Sequence, residues 1–426
     1  MLRRAAKTGF VAFMALAYRA SASKVFAHFM AANSYSYSQS DWANDINTAS
    51  GIGIDGFALN LNGNDYEIDR LADAYAAAIS HGSFQFFYSF DMSYSWDAGT
   101  IATIVEKYAT SSATYTWNGK VLVSTYSGES YGDSFWNSVK STLSSAGVSV
   151  SFAPAFTSYR DPSLASQLLS DFSSVDGFFN WWSWPADNGN LLTTDTDLAY
   201  QSAIKDNRSG PYIMSVSPLQ FKELGEPNDW VELSDTLWKY RWEQAIEDVK
   251  PDIVEIVTWN DYAESHYIGD INPNVYIGDA AAYVDGFPHA DWRIIGQYYI
   301  SWFKSGSAPS VTTDQLIFWY REYPKAAVCP TGDLPRNSQY PADAVFAFAL
   351  LASPATVTLD IGSTHYQWDA PAGASIGSVN FPAEDNQIPF FQIERNGSVE
   401  KSGYGSLYVT KECNGIYNFN FWVGAI

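Results

Sequence analysis

The period of the apolar positions changes twice along the chain, and the changes mark its parts. From Lys24 to about Gly306, short runs rich in β-branched and aromatic residues alternate with stretches whose apolar residues recur every three or four positions. The runs Val25–Met30, Gly56–Leu61, Phe84–Phe90, Val121–Tyr126, Ser149–Phe156, Gly177–Trp181, Tyr212–Val216 and Ile253–Thr258 predict strands. Each is followed by a helix-like segment: Trp42–Thr48, Ile68–Ser80, Ala102–Tyr108, Phe135–Ser145, Leu164–Phe172, Thr196–Lys205, Leu237–Val249 and Trp292–Phe303. Ser40, Ser134 and Asp161 stand where helix N-caps are expected. Strict strand–helix alternation over this length predicts a (β/α)8 TIM barrel, with a doubly wound open sheet as the alternative.

From about Ser307 the helical period disappears. Leu316–Tyr320, Ala344–Leu350, Ala355–Ile361, Ser375–Phe381, Phe390–Ile393, Leu407–Val409 and Tyr417–Val423 read as strands of an all-β sandwich, separated by Pro and Gly. The expected division is a barrel over 23–309 and a sandwich over 310–426, packed together without a Ser/Thr/Pro-rich linker. Residues 1–22 are set apart as a secretory signal. Arg3, Arg4 and Lys7 precede a short apolar run, and Ala20-Ser21-Ala22 offers a cleavage site. No later apolar run reaches the roughly 20 residues of a membrane span, so the mature chain is expected to be secreted, extracellular or in a cell wall. In that compartment Cys329 and Cys413 are expected to form a disulfide, two free buried thiols being the alternative. Asn207 and Asn396 begin glycosylation sequons.

Composition narrows the partner. Lys and Arg total 24 against 46 Asp and Glu, a net charge of -22, which disfavours nucleic acid and anionic membrane surfaces. Charged residues make up 16% and aromatics another 16%, with 28 Tyr and 16 Trp. A weakly charged, ring-rich chain suits a neutral ligand that stacks, such as a sugar, although a large aromatic core accounts for many of the rings. The expected state is a monomer without cofactor.

Two motifs fail on context. Gly51-Ile52-Gly53-Ile54-Asp55-Gly56 matches a dinucleotide fingerprint but ends a helix and leads into a strand, the reverse of the required order. Gly373-Ala374-Ser375-Ile376-Gly377 matches a nucleophile elbow but lies in the β region with no helix after it and no histidine downstream. The histidines are scattered and no Cys cluster accompanies them, so no zinc or iron site is expected; a calcium site in loop carboxylates would leave little sequence trace.

Barrel chemistry belongs at the C-terminal strand ends. Those ends carry His28, Asn60, Asp91, Tyr94, Tyr126, Trp181, Trp182, Ser217, Gln220, Trp259, Asn260, Asp261, Glu264 and His266. Carboxyls transfer protons, amides bind hydroxyls and indoles stack on pyranose rings, which describes a glycosidase cleft. Bland readings stand beside these: His28 as a satisfied core residue, Asp91 as a helix cap, the Trp cluster as a cover for the barrel top. Val25-Phe26-Ala27-His28-Phe29-Met30, Asp55-Gly56-Phe57-Ala58-Leu59-Asn60, Tyr88-Ser89-Phe90-Asp91-Met92 and Thr258-Trp259-Asn260-Asp261-Tyr262-Ala263-Glu264-Ser265 resemble blocks of the fungal α-1,3-glucanases, or mutanases, of glycoside hydrolase family 71. The resemblance implies inverting hydrolysis of α-1,3-glucan and carries the family's acids onto Asp91, Asp261 and Glu264. Glu264 is expected to be the acid and Asp261 the base, with Asp91 positioning water, binding hydroxyls or tuning pKa. Endo action on the glucan is expected. Asp91 with Glu129 is the fallback pair. A barrel glycosidase of another linkage and a catalytically silent carbohydrate-binding protein are the rival readings.

Overall fold

The computed structural model describes residues 23–225 and 227–426, so the expected signal at 1–22 lies outside the described residues. Parallel strands β1 (Lys24–Met30), β2 (Gly56–Leu61), β3 (Gln85–Asp91), β4 (Lys120–Tyr126), β5 (Val150–Phe152), β6 (Phe178–Asn180), β7 (Tyr212–Val216) and β8 (Ile253–Ile256) form one curled sheet. Pairing runs β5–β4–β3–β2–β1–β8–β7–β6. Between β5 and β6 the ladder gives way to single bonds, Gly177 N to Phe152 O at 3.0 Å and Phe179 N to Pro154 O at 3.0 Å. Pro154 has no N–H to return to β6, which is why β5 is shorter than the expected Ser149–Phe156.

Helices α1 (Gln39–Gly51), α2 (Asp65–His81), α3 (Ala98–Tyr108), α4 (Gly132–Ser145), α5 (Ala165–Asp171), α6 (Asp195–Asn207), α7 (Leu237–Glu243) and α8 (Trp292–Ser305) follow the strands in turn. Ser38, not Ser40, caps α1, because Asp41 lies at the right spacing to return a bond to Ser38 N at 2.8 Å, whereas Ser40 has Ala43 there. Helix α4 begins at Gly132, which puts Ser134 inside its first turn. Asp161 does cap, accepting from Ser163 N at the start of a short 3-10 turn. The loop 51–56 joins α1 to β2, as its order required. Gly56 leaves no room for a side chain, since a Cβ there would strike the Gln85 carbonyl.

Strand alternation builds the interior of the sheet in layers. Phe26, Ala58, Phe87, Leu122, Phe179, Ile213 and Ile253 pack together on the concave side, while Val25, Phe29, Phe57 and Phe86 pack outward with the helices. Two positions further along the same strands come His28, Asn60, Ser89, Ser124, Ser215 and Glu255, all buried and polar. Two positions further again come Met30, Asp91 and Tyr126, and these line a cavity. The apolar floor therefore carries a polar shelf, and the shelf carries the cavity.

The C-terminal part holds β9 (Gln315–Tyr320), β10 (Ala344–Leu351), β11 (Ala355–Ile361), β12 (Thr364–Ala370), β13 (Gly373–Asn380), β14 (Phe390–Arg395), β15 (Ser398–Tyr404) and β16 (Trp422–Ala425). They form two antiparallel sheets, β13–β10–β9–β16 and β12–β11–β14–β15. Leu316, Phe318, Val345 and Ala347 face the second sheet, where Phe318 stacks on Phe391 at 3.7 Å. Ile317, Trp319, Phe346 and Phe348 belong instead to the core that includes α8. The first sheet is thus buried on both faces, which explains the unbroken apolar run of β10 and the absence of a linker. Strands β12 and β15 were not expected from the sequence because most of their side chains are exposed and polar. Leu407–Val409 contributes only an isolated bridge, Val409 to Gln387, and the last strand starts at Trp422 rather than Tyr417. No helix among the described residues is long and apolar enough to cross a membrane.

Cys329 and Cys413 are bonded across a sequence separation of 84 residues. On chain-entropy grounds a cross-link of this span contributes about 4 kcal/mol. Cys329→Ser combined with Cys413→Ser is expected to lower the urea midpoint of the unreduced protein. Thiol titration of the parent should find no reactive thiol, and two titratable thiols in the unreduced parent would contradict the pairing.

Candidate active site

The cavity has a volume of about 330 Å³ and opens at the C-terminal ends of the strands, lined in part by His28, Met30, Asn60, Asp91, Tyr126 and Trp181. Trp182, Trp184, Gln220, Trp230, Glu232, Asp261, Glu264 and Arg336 complete its wall.

The loop after β8 supplies the chemistry. Asp261 N donates to Thr258 Oγ1 at 2.8 Å, and Glu264 N donates to Asp261 Oδ1 at 3.2 Å, so the backbone folds the two acids toward one another. Ser265 takes a left-handed conformation with φ 60°, which turns the chain back to bring His266 beside them. The His266 ring lies between Thr258 Oγ1, 3.1 Å from Nδ1, and Glu264 Oε2, 3.2 Å from Nε2. A tautomer carrying its proton on Nε2 satisfies both contacts. Gln220 Nε2 donates to Glu264 Oε2 at 2.9 Å, and Lys222 Nζ lies 3.4 Å from Oε1. Trp184 covers the other side of His266, with ring centroids 5.2 Å apart.

These contacts separate the two carboxyls electrostatically. Burial works against ionisation of Glu264, but His266, Lys222 and Gln220 outweigh it and hold the group at about 2. Asp261 shifts the other way: burial raises it, His266 opposes the rise, and the neighbouring Glu264 charge adds a smaller upward push. The surroundings therefore hold Glu264 low and push Asp261 up, so the two carboxyls are driven apart. One oxygen from each acid and a His266 nitrogen lie within 4.8 Å of one another. The trio has the donor types of a metal site, with the Lys222 ammonium 3.4 Å from Glu264 Oε1.

Asp91 enters from β3 and is held through Oδ1, which accepts from Ser93 N at 3.0 Å and from Ser93 Oγ at 2.6 Å. It caps no helix, because α3 begins later with Asp97 as its cap. His28 is fully buried, yet it lines the cavity. Its Nδ1 lies 2.7 Å from Glu255 Oε1, while Nε2 has no hydrogen-bond partner among the described residues. Tyr126 packs edge-on against Trp181 at 5.0 Å, and burial followed by the surrounding acids pushes its hydroxyl up to about 12, so it remains a donor. Trp182 is covered by the Arg160 guanidinium at 4.0 Å.

Other expected residues fall elsewhere. Trp259 is buried against Phe57 at 5.3 Å, in the core behind the sheet. Asn260 clamps β1 to the β8 loop, accepting from Met30 N at 2.7 Å and donating to Met30 O at 3.2 Å. Tyr94 is half-exposed outside the cavity lining. Glu129 accepts from Ser158 N at 2.7 Å and serves to tie two loops together. Asn207 and Asn396 are both exposed. Conversely, Lys222, Trp230, Glu232 and Arg336 did not figure among the expected residues. The signal available for the first three was the unusual length of the β7–α7 connection, because long ordered loops commonly carry function. Nothing in the sequence pointed to Arg336, which comes from the β9–β10 connection.

A family model described as glycosyl hydrolase family 71 matches residues 21–426. A glucan endo-1,3-alpha-glucosidase of Schizosaccharomyces pombe is 38% identical over 414 residues, covering 94% of each chain. A mutanase of Penicillium rubens is 34% identical, covering 94% of this chain and 88% of the relative. An ascus wall endo-1,3-alpha-glucanase of Schizosaccharomyces pombe is 31% identical, covering 93% and 96%. Among solved structures, a GH99 endo-alpha-mannosidase from Bacteroides thetaiotaomicron superposes with a TM-score of 0.51 at 12% identity, over 66% of this chain and 97% of that one, a likeness of fold.

The charge assignment is testable without a substrate. In carbon-13 NMR of the carboxyl groups, Glu264 should remain ionised down to a pH near its value of about 2. Lys222→Met removes a stabilising cation and should move that midpoint upward. An ordinary midpoint of about 4.3 in both proteins would contradict the assignment.

Proposed function

The chain belongs to glycosyl hydrolase family 71, and on that premise we propose that it is an endo-acting hydrolase of α-1,3-glucosidic bonds in α-1,3-glucan. The observation that carries this reading is the Asp261–Glu264 pair, set with opposite protonation tendencies in an aromatic-walled cavity. Acid–base chemistry at neutral pH needs two groups whose surroundings drive their pKa values apart. Asp261, whose pKa its surroundings raise, donates to the glycosidic oxygen. Glu264, held ionised, draws the proton from water, with Asp91 orienting that water or a sugar hydroxyl.

We take the course to be inverting. Inversion calls for roughly 6.5–9.5 Å between the working carboxyls, wider than the close Asp261–Glu264 approach in the free site. The bound sugar must then open that pair, or Asp91, which lines the same cavity and lies outside the tight cluster, must supply the second carboxyl. Strict strand–helix alternation supports a (β/α)8 barrel over 23–309, and the core shared by the two antiparallel sheets supports a β-sandwich over 310–426. The exposed sequons at Asn207 and Asn396, together with a relative named for the ascus wall, support an extracellular, glycosylated protein.

Reducing ends should appear on incubation with α-1,3-glucan and not with β-1,3-glucan or starch; equal rates on starch would overturn the linkage. Asp261→Asn and Glu264→Gln should each lose about 10²–10⁴-fold in rate, the range for a proton-transfer group. Asp261→Asn should lose less on an activated aryl glycoside, and Glu264→Gln should gain from azide. Azide rescue of Asp261→Asn would restore the reverse roles, and rescue of Asp91→Asn would make Asp91 the base. Time-resolved NMR should show the β-anomer first, whereas the α-anomer first would mean retention.

A further inference from the structure

One wall of the cavity comes from the C-terminal part of the chain. The strand Asp229–Val231 pairs with Phe221–Glu223 as a hairpin in the β7–α7 connection. The β9–β10 connection lies along its other edge: Arg336 N donates to Asp229 O at 3.1 Å and Val231 N donates to Arg336 O at 2.9 Å. This bridge sets Arg336 over the half-buried Trp230, 5.7 Å from the ring centroid, while Lys222 approaches the same ring at 5.0 Å. Lys222 is also the partner of Glu264, so a continuous chain of contacts runs from that carboxylate to Arg336.

We propose that Trp230, Glu232 and Arg336 form a sugar-binding subsite next to the carboxyl pair, built jointly by the β7–α7 hairpin and the β9–β10 connection. The proposal rests on the reading of the cavity as a glucan site. Each component has the chemistry a glucosyl unit requires: an indole for the pyranose face, an exposed guanidinium for hydroxyl oxygens, and a buried carboxyl. Asn337 Nδ2 reaches Glu232 Oε2 at 3.5 Å and Asp187 Oδ1 at 2.8 Å. Asp187 and the guanidinium groups of Arg160 and Arg336 are the charged groups facing Glu232. Burial and then Asp187 raise Glu232 to about 8, against a smaller pull from the arginines. Below that pH its carboxyl keeps a proton shared with Asp187 and is uncharged beside the sugar; above it a second buried charge develops next to Asp187.

The test uses calorimetric titration of α-1,3-linked glucotetraose into the full chain carrying Asp261→Asn, alone and with Arg336→Ala, Trp230→Ala or Glu232→Gln added. Arg336→Ala and Trp230→Ala should each weaken binding by about ten-fold, the scale for truncating a central aromatic or Arg anchor. Arg336 is exposed, so its loss leaves the fold intact and separates binding from stability. Glu232→Gln, which mimics the protonated carboxyl, should bind as the background does at pH 6 and should not weaken at pH 9, where the background does. Unchanged affinity in the Arg336→Ala and Trp230→Ala variants, with the background still binding, would overturn the subsite. Failure of the unsubstituted enzyme to cleave α-1,3-glucan would instead overturn the reading on which it rests.

Discussion

A half-buried carboxylate must be answered by donors, and much of this cleft is arranged to answer Glu264. Three donors come from two places in the fold: His266 from the same loop, Gln220 and Lys222 from the β7–α7 connection. His266 is itself fixed by Thr258 and covered by Trp184, so the loop after β8 cannot move without disturbing neighbouring elements. Asp261 has no comparable set of donors. Its shift toward the protonated form follows from burial beside a charge that the surrounding structure has already stabilised next door. The opposite shifts of the two acids are thus a property of the shell around them.

The shell stands on the polar shelf beneath it. His28 and Glu255 form a fully buried pair, and the cost of burying a carboxyl there is offset by a 2.7 Å contact to the imidazole. That contact orients the ring of a residue that lines the cavity. Below, the apolar layer around Phe26, Phe87 and Phe179 closes the floor to solvent. Above, the first C-terminal sheet packs its outer face on the core around α8, so the loop bearing Arg336 is anchored by a buried sheet.

The interior layering was legible in the sequence wherever strand alternation was intact. His28, Asn60, Asp91 and Tyr126 could be assigned to the cavity because each continues the inward-facing series of its strand by two positions. That logic ends where the strand does. Trp259 and Asn260 lie past the last regular residue of β8, and there the irregular loop sends the indole into the core and the amide onto Met30. Contacts between distant segments were beyond reach of any local pattern: Arg336 meets the cavity through a bridge to Trp230, and Lys222 through a hairpin register. The missed strands β12 and β15 share a simpler cause, since exposed sheet faces carry polar residues that read as loop. The opposite shifts of Asp261 and Glu264 arise from electrostatics, which spacing along a chain does not encode.

The central claim is that the cleft cuts a glucan at a bond held against the β8 loop, with Asp261 as the proton donor. The most direct measurement is a crystal structure of the chain carrying Glu264→Gln with an intact α-1,3-linked glucan oligosaccharide bound. The account predicts a glycosidic oxygen within hydrogen-bond reach of the Asp261 carboxyl, roughly 2.6–3.2 Å, with the sugar chain crossing the cavity between His28 and Trp230. An oligosaccharide seated away from the β8 loop, or a glycosidic oxygen facing residue 264 with Asp261 turned from the bond, would contradict it.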